Sequence, residues 1–109
     1  HSRDFTHVSD IVETMLALSK KIRYFTGHEI FNICSNKKIK LNFLIKSLEK
    51  NLKLKAITKN VKKQRGDMLD TLGSNTKIIR YTNKKRFIKF ELGLKETIEN
   101  DNKWAKFKK

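Results

Sequence analysis

Ten side chains between positions 37 and 65 are of the types that meet nucleic acid: Lys37, Lys38, Lys40, Asn42, Lys46, Lys50, Lys59, Lys62, Lys63 and Arg65. An asparagine amide can read adenine in bidentate fashion, and a lysine can read the O6 and N7 acceptors of guanine. Asn42 and Lys46 are four residues apart, so a helix puts them on one face. Lys37, Lys38 and Lys40 would stand near the start of that helix, where such elements meet phosphates and base edges. Lys59, Lys62, Lys63, Gln64 and Arg65 form a second cluster suited to tracking a phosphate backbone. Arg65, just before Gly66, is the candidate for insertion into a minor groove.

The charge pattern supports this reading more than any single residue. The chain carries a formal +15 over 109 residues, from 26 Lys and Arg against 11 Asp and Glu. Residues 1–35 are neutral, residues 36–65 hold +10, and residues 77–89 add six cations with no acid. Lysines selected only for solubility would not be blocked in this way.

Catalytic patterns are thin. His7 and His28 have no neighbours at metal-ligand spacing, and Cys34 is the only cysteine, which excludes an internal disulfide and a cysteine-based zinc site. There is no glycine-rich phosphate loop and no glycine-flanked serine. Asp67, Asp70 and Glu91 follow no motif. The expectation is a non-enzymatic binding module without metal or cofactor. No apolar run reaches the ~20 residues that span a bilayer, and no signal-peptide pattern opens the chain, so an intracellular location (cytoplasm, nucleoid or nucleus) is expected.

The elements that would hold these residues follow from periodicity. Ser9 as N-cap, Asp10 in the first turn and Val8, Ile11, Val12, Met15 and Leu16 at helical spacing predict a helix over 9–19. Ile22–Phe25 has strand propensity. Thr26-Gly27-His28-Glu29 has the capping-box pattern and predicts a short helix to about Cys34, burying Ile30, Ile33 and Cys34. Ser35–Lys38 is a turn, with Asn36 able to take a left-handed conformation. A helix over about 38–51 follows, with Leu41, Leu44, Ile45, Leu48 and Leu52 as its apolar stripe. Phe43 beside that stripe is a helix-edge or dimer contact, or packs on a thymine methyl. Residues 55–63 alternate weakly as a strand, and 64–75 read as a loop. Residues 77–82 and 86–92 read as a hairpin about a basic Lys84-Lys85-Arg86 turn, and 94–107 as a helix. His1-Ser2 has the look of a tag remnant and is given no role.

This order of elements resembles the winged helix-turn-helix superfamily over residues 9–92. The resemblance implies an α+β fold: a three-helix core with a basic β-wing, plus an extra C-terminal strand and helix, in one domain over 1–109. By position, 27–34 corresponds to the first helix of the helix-turn-helix, 38–51 to the recognition helix, and 55–63 with 77–82 and their loop to the wing, whose basic part is about 59–66. It implies binding of double-stranded DNA, as a transcriptional regulator, a plasmid or phage segregation protein, or the DNA-binding part of a replication initiator. It also implies a homodimer through the N- and C-terminal helices. Ile98, Trp104 and Phe107 could supply the dimer contacts, or Trp104 could fold back on the core. Structured RNA, or an acidic protein met by the basic face, are the other partner classes the composition allows.

Overall fold

The chain's first three residues, which carry no sequence signal, hold two distant segments together. In a computed structural model that describes residues 1–84 and 86–107, with backbone alone for 103–107, β1 (Ser2–Arg3) pairs antiparallel with β2 (Ile39–Lys40), Ser2 opposite Lys40 and Arg3 opposite Ile39. On its other side Ser2 bridges in parallel to Asp70. The Ser2 amide donates to the Leu69 carbonyl (3.0 Å), and the Thr71 amide donates to the Ser2 carbonyl (3.1 Å). Even His1 takes part: its carbonyl accepts from the Leu41 amide at 2.8 Å.

Four α-helices accompany this small sheet among the described residues: α1 (Val8–Ser19), α2 (Leu41–Leu52), α3 (Thr76–Thr82) and α4 (Phe90–Phe107). The fold is therefore α+β. Helix α1 is capped by His7 and not by Ser9; the His7 Nδ1 accepts from the Ser9 amide at 3.1 Å. Helix α2 starts directly from β2 and stops where Lys53 turns left-handed at φ 56°. Helix α3 packs on α1, and α4 on α2.

Two carboxylates tie distant parts of the chain together. Asp10, 3% exposed, accepts from the Ile88 amide at 2.9 Å and pairs with the Lys84 ammonium at 3.0 Å, so it fixes the approach to α4 against α1. Asp4 accepts from the amides of Ser35 (3.2 Å) and Asn36 (2.8 Å) and from the Ser35 hydroxyl. Asn36 takes the left-handed conformation expected of it, at φ 59°. The apolar core is small: Cys34 and Ile78 are its buried members. Two aromatic groups flank it, Phe25–Phe31–Tyr81 with ring centroids 5.1–5.7 Å apart, and Phe5–Phe90–Phe43 joined at 5.9 and 5.7 Å.

Several expected elements are different. Ile22–Tyr24 is a 3-10 turn, not a strand. Residues 27–34 form no helix; the Glu29 carboxylate that would close a capping box reaches Lys77 instead, at 2.8 Å. Residues 55–63 form no strand. Residues 77–82, expected as a strand, belong to α3, and 90–92, expected as the end of another, begin α4. The two-stranded wing and the first helix of a helix-turn-helix are thus not formed among the described residues. Trp104, Phe107 and Lys85 carry expectations that lie outside the described side chains.

Candidate functional site

The basic side chains singled out by type lie along one stretch of chain: the lead into α2, α2 itself and the segment after it. Lys37, Lys38, Lys40, Asn42, Lys46 and Lys50 are all exposed. Lys40 is the N-cap position of α2, so three lysines stand at the helix end where unpaired amides already favour an anion. Of the nine cations in the set, only Lys38 has a carboxylate partner among the described residues, Asp70 at 3.0 Å. The Ser2 hydroxyl and the Lys38 ammonium hold the Asp70 carboxyl below the usual carboxylate range.

Asn42 and Lys46 do share a face, but that face is not bare. They line a shallow hollow with Ile45, Glu49, Ala56 and Thr58, because the chain leaving α2 doubles back along it. The Ala56 amide donates to the Glu49 carboxylate at 3.0 Å and fixes this return. Phe43 sits 5.7 Å from Phe90, which makes it the helix-edge contact with α4.

Lys59, Lys62, Lys63 and Arg65 lie in an irregular stretch in which every residue from 51 to 70 is exposed. Around the basic cluster the chain makes a turn at 64–67. There the Asp67 amide donates to the Gln64 carbonyl at 3.1 Å, and the Gln64 amide donates to the Asp67 carboxylate at 3.2 Å. Gly66 has φ +94°, a conformation that side-chain-bearing residues rarely adopt, so the turn depends on glycine and presents Arg65 at its tip.

A second basic hollow was missed in the sequence. Ser35, Lys37, Asn75, Ile79, Arg86, Phe87 and Lys89 line a cavity of about 530 Å³. Lys37, Arg86 and Lys89 have no carboxylate partner among the described residues, and no acid lines the cavity. The acid-free block 77–89 was the available signal; reading it as a solvated hairpin tip hid the convergence. Lys84 from the same block is differently used. Its side chain is 13% exposed between Asp10 and Glu13. Burial works against its charge, but hydrogen bonds to both carboxylates outweigh that and hold its pKa above the ordinary lysine value.

His7 and Cys34 both sit in structural contacts. His7 Nδ1 faces both the amide and the hydroxyl of Ser9 (hydroxyl oxygen at 2.7 Å), while Nε2 faces Glu96 at 3.3 Å. This hydroxyl–imidazole–carboxylate row has the members of a nucleophile triad, but its basic nitrogen is the acceptor that caps α1. His28 is exposed and joins no such cluster. Burial, and then the charge of Asp4, push the Cys34 thiol up, partly offset by the Asn36 amide, so at neutral pH it is a thiol and a poor nucleophile. Among the described residues no three His, Cys, Asp or Glu side chains gather as a metal site, and no helix is long and apolar enough to cross a membrane.

No protein-family profile matches the chain, and no solved structure matches it. The sequence is similar to an uncharacterized protein of Methanocaldococcus jannaschii, with 38% identity over 93 residues. Those residues are 85% of this chain and 28% of the relative, so the chain spans under a third of the curated relative it matches.

Proposed function

We propose that this chain is a binding module for nucleic acid, double-stranded DNA in the first instance, held through its phosphates by the surface from Lys37 to Arg65. The observation that carries the reading is the set of exposed cations with one carboxylate among them, on a stretch holding +10. Like charges gathered without internal partners cost self-repulsion, which a polyanion relieves on binding.

In this reading α2 lies against the duplex with its lysine-rich end toward the backbone, and the arm 53–67 follows the phosphates. The arm takes the part that a wing takes in winged helix-turn-helix proteins, without strand pairing. Since the arm doubles back over Asn42 and Lys46, base reading by that pair needs the arm to lift, whereas phosphate contact needs no rearrangement. Phosphate affinity therefore exceeds sequence preference. A role as regulator, segregation protein or replication initiator, and a dimeric state, belong to the same proposal.

The test is binding to duplex DNA, matched single-stranded DNA and duplex RNA over a salt series. Six to eight phosphate contacts on duplex DNA give a log–log slope of about −5 to −7, at about −0.9 per contact. A slope near zero on duplex DNA, or equal binding to every polyanion including an acidic peptide, would overturn the proposal and leave a protein partner as the better reading.

A further inference from the structure

The cations of the acid-free block 77–89 divide into two groups. Lys77 is paired with Glu29 at 2.8 Å, and Lys84 with Asp10 and Glu13, each at 3.0 Å. Arg86 and Lys89 have no carboxylate partner among the described residues. They come instead beside Lys37, from the lead into α2, and these three line the hollow of about 530 Å³. Asp4, the carboxylate bonded to the hollow's Ser35, does not line it and is already occupied. It accepts from the Ser35 amide and hydroxyl, from the Asn36 amide at 2.8 Å and from the Thr6 hydroxyl at 3.2 Å.

The backbone that carries the three cations is fixed. Lys89 directly precedes α4, and its carbonyl accepts from the Gly93 amide at 3.0 Å. One residue earlier, the Ile88 amide is held by Asp10 at 2.9 Å. Across the hollow, Asn75 is 8% exposed and its amide donates to the Cys34 carbonyl at 3.1 Å. Half-buried Ile79 and Phe87 add apolar wall. A cleft lined by one sign of charge between apolar walls focuses its field and concentrates counter-ions. The volume lies within the ~300–1,000 Å³ of ordinary ligand sites. Three cations around one group call for more than the single charge of a carboxylate. A phosphate monoester carries about −1.5 to −2 at pH 7 on three acceptor oxygens, and the planar arginine fork suits two of them at once.

We infer that this hollow is a binding site for a dianionic phosphate group, held by the Arg86 guanidinium and by the ammonium groups of Lys37 and Lys89. Free phosphate and the terminal phosphate of a nucleic-acid strand carry this same chemistry. The site shares only Lys37 with the surface from Lys37 to Arg65, and it stands whether or not that surface binds duplex DNA.

The experiment titrates inorganic phosphate into the full 109-residue chain at neutral pH and constant ionic strength, with chloride as control, and follows backbone amide resonances. Saturable shifts confined to the segments around 35–37, 75–79 and 86–89, and absent with chloride, are expected. Arg86→Gln with Lys89→Gln should weaken binding at least tenfold and leave circular dichroism and melting temperature unchanged. Lys37→Gln, on the other segment, should weaken it too, whereas Lys62→Ala with Lys63→Ala should not. A single strand with and without a terminal phosphate forms the second arm. Tighter binding of the phosphorylated strand than of inorganic phosphate, lost in the double variant, assigns the site to strand ends; equal or weaker binding assigns it to the free ion. Either of two results overturns the inference: no saturation beyond the chloride control, or saturation that neither the Arg86–Lys89 variant nor Lys37→Gln weakens. Duplex DNA titrated in parallel separates the two readings. Duplex binding without phosphate saturation removes this site alone, and phosphate saturation without duplex binding removes the duplex reading alone.

Discussion

Helices α1 and α2 are each twelve residues long, and they use amphipathicity in opposite directions. Helix α2 keeps Leu44, Ile45 and Leu48 half-buried and turns Lys46 and Lys50 to water. Helix α1 buries Asp10 and Thr14 and turns Val12, Met15 and Leu16 to water. The difference lies in what holds each helix. Packing holds α2, where Phe43 meets Phe90 and Leu44 lines a cavity with Phe90 and Leu94. Polar hydrogen bonds hold α1, above all those of Asp10 to the Ile88 amide and Lys84. The first arrangement leaves cations in water, and the second leaves apolar side chains there.

The comparison breaks most sharply at Asp10. Asp10→Ala leaves the Ile88 amide without a partner and the Lys84 ammonium with Glu13 alone, and losing hydrogen bonds to a charged group costs about 1.5–3 kcal/mol. Denaturant unfolding should show a loss in that range; a loss under 1 kcal/mol would mean that α1 is not held by its polar face. The same contact has a pH signature. Lys84 is raised above its unfolded value near 10.5, so its contribution is fully present below that pH and is lost as pH rises through the folded value. Stability of the native chain should fall on that alkaline limb, and Lys84→Met should flatten it.

The seam beside Cys34 comes next. A Cβ at Gly73 would stand 2.8 Å from the Cβ of Cys34 and closer still to its sulfur. Gly73→Ala should therefore cost about 1–3 kcal/mol by overpacking, and Gly73→Ala with Cys34→Ala should recover part of it. On the packed helix, Leu44→Ala should cost about 1–2 kcal/mol, below the 2–5 kcal/mol of full burial because Leu44 is only half-covered. If Leu44→Ala proves as costly as Asp10→Ala, the contrast between the two helices fails.

How much of this was legible in the sequence follows from the same contrast. Both twelve-residue helices were, within a few residues, because an apolar stripe repeats at helical spacing whichever way it faces. Which way α1 faces was not, since the partners of Asp10 lie 74 and 78 residues away in sequence. The β-branched and aromatic run Ile78–Thr82 signalled a strand. It is helical because Ile78 is buried completely and because the Thr82 hydroxyl turns back to the Ile78 carbonyl at 2.6 Å, so tertiary packing overrides a propensity worth only tenths of a kcal/mol per residue. The segment 27–34 carried a local capping pattern, but Glu29 and the amides at 35–36 found long-range partners in Lys77 and Asp4. The cationic surface was legible throughout, because exposure of unpaired charge is close to a property of composition. The convergence of Lys37 with Arg86 and Lys89 was not, because it needs the fold.

At the weak end stand the exposed ion contacts. Asp70 is held below its unfolded value near 3.8 by Ser2 and Lys38, so its contribution is present above that pH and is lost as pH falls through the folded value. Asp70→Asn should shallow the acid limb of the stability profile and leave neutral pH nearly unchanged. The smallest effect on stability belongs to the arm: replacing Lys59, Lys62, Lys63 and Arg65 together by alanine should move unfolding by no more than about 0.5 kcal/mol, as for surface positions without structural partners. The same variant should reduce the magnitude of the DNA salt slope by about 3–4, at about 0.9 for each lost phosphate contact. A large loss of stability would show that the arm is part of the folded core. An unchanged slope would assign phosphate contact to α2 and to the hollow of Lys37, Arg86 and Lys89, and Arg86→Ala with Lys89→Ala would then be the variant that flattens it.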